Sequence, residues 1–183
     1  MLLSRAVPIG ASLALALSVG APPSSARDYT IRTSNGAVAA IGAFHPSRDP
    51  TVGAAIAVFG SPTSRKGDYG GDSCVMKWRS PKLTINFSNF GAPGAGACAD
   101  TVGRAQSFVA RDRRFRTWGG LRPRARSRTI LDKHPTAEFQ QGSWWLRSAY
   151  SPFGDGDEYP VVRALIHSYR VTALAGWIGG AGE

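Results

Sequence analysis

The chain is short of the residues that carry most enzyme chemistry. Among 183 residues it has two cysteines, three histidines and twelve acidic side chains. His45, His134 and His167 stand far apart, with no H-x-H or H-E-x-x-H arrangement and no Cys/His cluster, so a metal site is not expected. There is no G-x-S-x-G elbow to present a nucleophile and no Gly-Lys loop to cradle phosphate. The expectation is a non-enzymatic protein without a cofactor, with an unrecognised hydrolase as the last alternative.

A long apolar run is missing too. The stretch from Ala11 to Val19 is bounded by Gly10 and Gly20, follows Pro8, and falls short of the ~20 apolar residues of a spanning helix. Arg5 precedes it, and Ser24, Ser25 and Ala26 close it, with Ser24 and Ala26 at the small-residue positions of an A-x-A-like cleavage site. Residues 1–26 therefore read as a secretory signal peptide, and no transmembrane segment is expected. No cysteine stands near the cleavage site to take a lipid. Cleavage leaves a mature chain of 157 residues from Arg27, enough for one ordinary domain or two small ones.

Acidic residues are outnumbered by 22 Lys and Arg, for a formal charge of +10, of which the leader carries only Arg5. The excess gathers in "RDRRFRTWGGLRPRARSR", where Arg111, Arg113, Arg114, Arg116, Arg122, Arg124, Arg126 and Arg128 face Asp112 alone. Inside a cell such a run would suggest a grip on phosphate and nucleic acid. Export excludes intracellular nucleic acid and leaves the polyanions outside: anionic wall polymers, lipid headgroups and extracellular DNA. These eight arginines form a candidate anionic-surface patch, and the alternative is a solvated face. The carboxylates of Asp155 to Glu158 ("DGDE") lack the rest of a calcium-loop signature and read as a solvated loop.

The two cysteines fit export. Cys74 and Cys98 are not in a C-x-x-C arrangement, and in an oxidising compartment they are expected to form one structural disulfide. The glycines of "GAPGAG" fall inside its loop, where flexibility accounts for them.

What is present is a pattern that occurs twice. In "DPTVGAAIAVFGSP", Asp49 suits an N-cap, Pro50 the first helical position, and Gly60 with Pro62 a stop. Val52, Ala55, Ile56 and Phe59 make one buried stripe. Then "SCVMKWRSPKLTINFSNFG" alternates with period two on both sides of Ser80-Pro81, an antiparallel hairpin with Cys74, Met76, Trp78, Leu83, Ile85 and Phe87 on one face. In the second half, "LRPRARSRTILDKHP" predicts a short helix between Pro123 and Pro135 with Ile130 and Leu131 inward. "GSWWLRSAY" sets Trp144, Leu146 and Tyr150 against Trp145, Arg147 and Ala149, and "VVRALIHSYRVTALAGWIG" predicts two strands about a turn near Ser168 and Tyr169. His45 and His167 adjoin apolar residues and are expected to be partly buried, with His134 closing the second helix.

The pairing of "AAIAVFGSPTS" with "ILDKHPTA", each ahead of Trp-bearing strands, resembles the tandem helix-plus-sheet repeats of the beta-lactamase inhibitor protein and of small envelope-assembly lipoproteins with a related fold. The chain is more similar still to secreted actinobacterial proteins of unknown function, through Gly120-Leu121-Arg122, Pro135, Trp144-Trp145 and "YRVTALAGWIG". The resemblance covers residues 49–183. It implies an α+β fold of two tandem repeats, each a short helix plus antiparallel strands, forming one curved sheet or two adjacent sheets. A leader (1–26) and an N-terminal segment (27–48) precede the repeats, 49–110 and 111–183. Pro123-Arg124-Ala125-Arg126, with Ser127 and Lys133 in place of apolar residues, departs from that pattern and predicts a short, frayed or shifted second helix. No inhibitory residue is carried over, because such contacts are not a sequence motif. The first functional expectation is a secreted protein-binding module of unknown ligand, using the outer sheet face with Trp144 or Trp145 as contact aromatics. The second is an envelope-associated structural protein held on anionic wall polymer by the arginines.

Overall fold

The computed structural model describes residues 28–89, 96–150 and 156–178. The expected leader, and the glycines of "GAPGAG" before Gly96, lie outside them. The first strands, β1 (Tyr29–Ser34) and β2 (Ala37–Ile41), form a hairpin closed by Asn35-Gly36, with φ of 49° and 72°. Two positive φ values match the twist of the flanking strands, and Asn-Gly is the pair that reaches them most readily. Helix α1 (Val52–Phe59) follows, then β3 (Ser64–Gly67), β4 (Ser73–Trp78), β5 (Leu83–Ser88) and β6 (Arg104–Ala110). The short strand β7 (Phe115–Thr117) leads to α2 (Thr129–Lys133), then β8 (Glu138–Gln140), β9 (Ser143–Tyr150), β10 (Glu158–His167) and β11 (Arg170–Trp177).

Two adjacent sheets result, in an α+β fold. The small one is mixed, ordered β2-β1-β7, with β7 parallel to β1. The large one is antiparallel, ordered β3-β4-β5-β6-β11-β10-β9-β8. Each helix thus precedes four antiparallel strands, and the two sets of four meet at their last strands, β6 beside β11. The alternation in β4 and β5 is as the sequence predicts: Cys74, Met76, Trp78, Leu83, Ile85 and Phe87 are all buried. They pack with Val52, Ala55 and Phe59 of α1 and with Tyr29, Ile31 and Phe115 of the small sheet in one core. Tyr29 stacks on Phe115 at 4.9 Å, and Phe59 meets Tyr29, Phe44 and Trp78 edge-on or tilted. The expected disulfide joins Cys74 to Cys98.

Four expectations are corrected. The N-cap of α1 is Thr51, whose hydroxyl accepts from Ala54 N at 3.2 Å, and not Asp49. Asp49 instead accepts from the Thr51 hydroxyl at 2.6 Å, and Pro50 is held outside the helix by its carbonyl, which accepts from Ala105 N at 2.8 Å. Helix α2 starts at Thr129 and not at Pro123, and its five residues are the short, shifted helix that Pro123-Arg124-Ala125-Arg126 predicts; what is corrected is the facing of Leu131. A single turn has one inward position: Ile130 is buried, while Leu131 is 47% exposed. In β9, Leu146 and Ala149 lie on the core side and Tyr150 is exposed, so the alternation changes phase along the strand. Register shifts opposite Val162 cause it, since each bulge residue reverses the faces beyond it. Finally, His45 and His167 are exposed, and His134 is the buried histidine.

Candidate functional site

Strand β7 carries the start of the arginine run into the small sheet. Its pairing sets Tyr29 beside Phe115, Thr30 beside Arg116 and Ile31 beside Thr117. Alternation sends Tyr29, Ile31, Phe115 and Thr117 into the core and leaves Thr30, Arg32 and Arg116 on the outer side. The chain then reverses over Trp118, Gly119 and Gly120, with Gly120 N donating to Thr117 O at 2.9 Å. Gly119 is obligatory in this turn, because a Cβ there would stand 2.2 Å from Lys133 O at the end of α2.

The turn is fastened from beneath. The Thr117 hydroxyl accepts from Leu121 N at 3.0 Å and lies 2.7 Å from His134 Nε2. The His134 ring meets the Trp118 indole edge-on at 4.7 Å. Burial pushes the His134 pKa below its ordinary value, so the imidazole is neutral near pH 7. A neutral imidazole against a hydroxyl is the pairing that activates a nucleophile. Thr117 is only 1% exposed, however, and its oxygen is already engaged by a backbone N–H. The pair is therefore a structural fastener that sets the position of Trp118.

Above it lies an open groove of about 670 Å³ lined by Thr30, Arg32, Thr33, Arg116, Thr117, Trp118 and Gly120. Arg32 and Thr33 are neighbours that would ordinarily point to opposite faces. Both nevertheless line the groove near the end of β1, and the register shift beside them makes Ala39 the extra residue of β2.

The eight arginines divide into two groups. Arg122 grips Asp28 with two nitrogens, at 3.0 and 2.7 Å, and also donates to Arg113 O. That contact holds the Asp28 carboxyl below its usual range. Arg116 lies 3.7 Å from the same carboxylate and donates to the Thr30 hydroxyl at 3.0 Å. Arg114 donates to Asp112 through Nε and Nη2 and to the Ser80 hydroxyl, and it holds the Asp112 pKa down to about 2. These three tie the β7 region to the N-terminal strand and to the β4–β5 turn. Arg111, Arg113, Arg124, Arg126 and Arg128 are exposed, and their side chains enter no hydrogen bond or ion pair among the described residues.

Arg124 and Arg126 sit where the chain runs beside the start of β11. Arg124 N donates to Val171 O, Val171 N to Ala125 O and Ser127 N to Tyr169 O, all within 2.9 Å. Arg170 then donates to Arg124 O at 3.1 Å, so a ninth arginine joins the run. Arg124, Ser168 and Tyr169 all have positive φ here, with no glycine among them. Sequence reading did not single out Arg170, Arg32 or Trp118. The available signals were the Gly119-Gly120 pair after an aromatic residue and an arginine directly after a tight turn.

The candidate contact aromatics separate. Trp145 is 4% exposed, lies outside the central core and shares a cross-strand row with Arg163 and Ala175; its indole N–H is buried without a partner among the described residues. Trp144 is half-buried on the core side and meets Phe139 of the edge strand β8 at 5.7 Å. Of the "DGDE" carboxylates, Glu158 accepts from the Ser148 hydroxyl, and Asp155 lies outside the described residues. No group of His, Cys, Asp and Glu among the described residues could hold a metal ion, and no helix among them is long and apolar enough to cross a membrane. Comparison of the chain with protein families, with curated proteins and with solved structures finds no match.

Proposed function

We propose that this is a secreted, non-enzymatic binding protein of the bacterial exterior that adheres to anionic envelope polymer through the unpaired members of its arginine run. One observation carries the reading: Arg111, Arg113, Arg124, Arg126 and Arg128 are exposed without acceptors among the described residues, while Asp28 and Asp112 are already occupied by Arg122 and Arg114. A solvated face would be expected to intersperse carboxylates among its cations. Here Asp112, the one carboxylate within the run, is already engaged by Arg114. The leader-like N-terminus and the disulfide support export.

Co-sedimentation with purified bacterial cell wall across a salt series tests the proposal. Retention should be strong at low salt and fall steeply toward 0.15 M, where the Debye length is ~8 Å. Replacing Arg124, Arg126 and Arg128 together by Gln should release the protein. Retention that ignores salt, or that is unchanged in the triple variant, overturns the reading.

A protein-binding role has its own support at the sheet edge. Phe139 of β8 is 60% exposed and backed by Trp144. Replacing Phe139 by Ser should abolish capture of a protein partner from culture medium if that role holds, and should leave wall retention unaltered.

A further inference from the structure

The groove over the small sheet shares Arg116 with the arginine run, but wall adherence through the unpaired arginines does not involve it. Its base offers one aromatic plane. Trp118 is 43% exposed, so burial does not explain it, yet its ring is fixed by the His134 contact beneath and by the Gly119 turn. An exposed indole that is held still is a preorganised contact surface. Two guanidiniums flank it. Arg116 is oriented by the Thr30 hydroxyl and only loosely shares Asp28, which Arg122 already engages through both oxygens. Arg32 is exposed and its side chain makes no hydrogen bond or ion pair among the described residues. The hydroxyls of Thr30 and Thr33 complete the lining.

A fixed indole face, two cations and two hydroxyls suit a hydrated ligand with one weakly apolar face and a negative substituent. The C–H face of a sugar ring meets the electron-rich indole face, its hydroxyls meet the threonines, and an oxyanion meets the guanidiniums. We propose that this groove binds a sugar ring bearing an anionic substituent, stacked on Trp118 with its charge between Arg32 and Arg116. The volume, about 670 Å³, lies in the range of ~300–1,000 Å³ common to small-ligand sites.

Isothermal titration of the exported protein with four probes tests this: glucuronic acid, glucose 6-phosphate, glucose and inorganic phosphate. Either or both of the anionic sugars should bind at least tenfold more tightly than glucose and than phosphate, and which of them binds identifies the source of the charge. Arg32→Gln should weaken that binding about tenfold or more without altering the thermal midpoint, because Arg32 takes no part in the fold's ion pairs. Trp118→Phe should weaken it while keeping an aromatic edge for His134. The triple Gln variant at Arg124, Arg126 and Arg128 should bind as the parent does, which separates this site from wall adherence. Phosphate binding as well as the anionic sugars do, no binding of either sugar, or full affinity in Arg32→Gln would each overturn the proposal.

Discussion

The two halves of the chain build the same order of elements by different means. In the first, α1 is eight residues long, capped by the Thr51 hydroxyl, stopped at Gly60 and seated in the aromatic cluster around Phe59. The Trp78 indole donates to Gly60 O at 2.7 Å, and a disulfide ties β4 to the loop before β6. In the second half α2 is a single turn whose N-cap, Arg128, makes no side-chain bond. A helix that short does not hold itself, because nucleation outweighs one turn of hydrogen bonds. Its surroundings hold it: Gly119 against its last carbonyl, the Thr117–His134 pair, and the backbone bonds of residues 124–127 to residues 169–171. The lesson is that one element order can rest on apolar packing in one half and on buried polar contacts in the other. The second arrangement leaves Arg111, Arg113, Arg124, Arg126 and Arg128 without a side-chain partner among the described residues.

The sharpest break in this comparison comes from truncating the inward residue of each helix. Phe59→Ala removes a ring that touches three others and should cost ~3–5 kcal/mol. Ile130→Ala should cost ~2–3 kcal/mol, since fewer packed atoms are lost. Urea midpoints measure both. Equal losses would show that α2 is packed as firmly as α1.

Next in size is the disulfide. Replacing Cys74 and Cys98 together by Ala should remove ~3 kcal/mol, because the crosslink closes a loop of 24-residue separation in the unfolded chain. Hydrogen exchange on the same variant should show faster opening in β4 and β5 than in β9 and β10. Uniform loss of protection would contradict a first half stapled on its own.

The division between the halves also decides what could be read from the sequence. The first helix and the β4–β5 hairpin were legible because their signals are local: a 3.6-residue apolar stripe, a glycine stop and period-two alternation on both sides of a proline turn. The start of α1 was not legible, because Gly53 N is taken by Asp100 O and Val52 N by Gly103 O, partners some fifty residues away. The small sheet was missed although Asn35-Gly36 is a strong hairpin signal, because β7 joins it from 86 positions downstream. The composition of the arginine run was plain, but its division into paired and free members was not. Arg122 finds its partner at Asp28, 94 positions earlier, and no periodicity encodes that distance.

A moderate effect is expected at the polar fastener. Thr117→Val keeps the shape but leaves Leu121 N and His134 Nε2 without their partner, at a cost of about 2 kcal/mol. The pH dependence has a defined sign. His134 has a folded pKa below its ordinary value of 6.5, so the unfolded chain takes up the proton first as pH falls. Its contribution is complete above about 6.5 and declines as pH drops below that value toward the folded pKa. The urea midpoint should therefore fall from pH 7 to pH 5, and His134→Gln should flatten that slope. An unchanged slope in the variant would remove His134 from the account.

The smallest effect is the most direct test of the contrast, because it compares the two helix starts alone. The Thr51 hydroxyl accepts from Ala54 N and donates to Asp49, so it satisfies one of the N–H groups at the start of α1 that have no partner within the helix and fixes the preceding carboxylate. Thr51→Ala should cost ~1 kcal/mol, and Thr51→Ser, which keeps the oxygen, should recover most of it. Arg128 sits at the equivalent point of α2 with helical backbone angles, φ of −58° and ψ of −22°, and offers no acceptor. Arg128→Ala should therefore shift the midpoint by less than ~0.5 kcal/mol, within the range of ordinary surface changes. Arg128→Asp should stabilise slightly, because a carboxylate there can accept from the first turn and oppose the helix dipole. It would also remove one of the free arginines and so weaken wall retention at low salt. If Arg128→Ala proved as costly as Thr51→Ala, α2 would depend on its N-terminus as α1 does, and the polar contacts beneath Trp118 would not be what holds it.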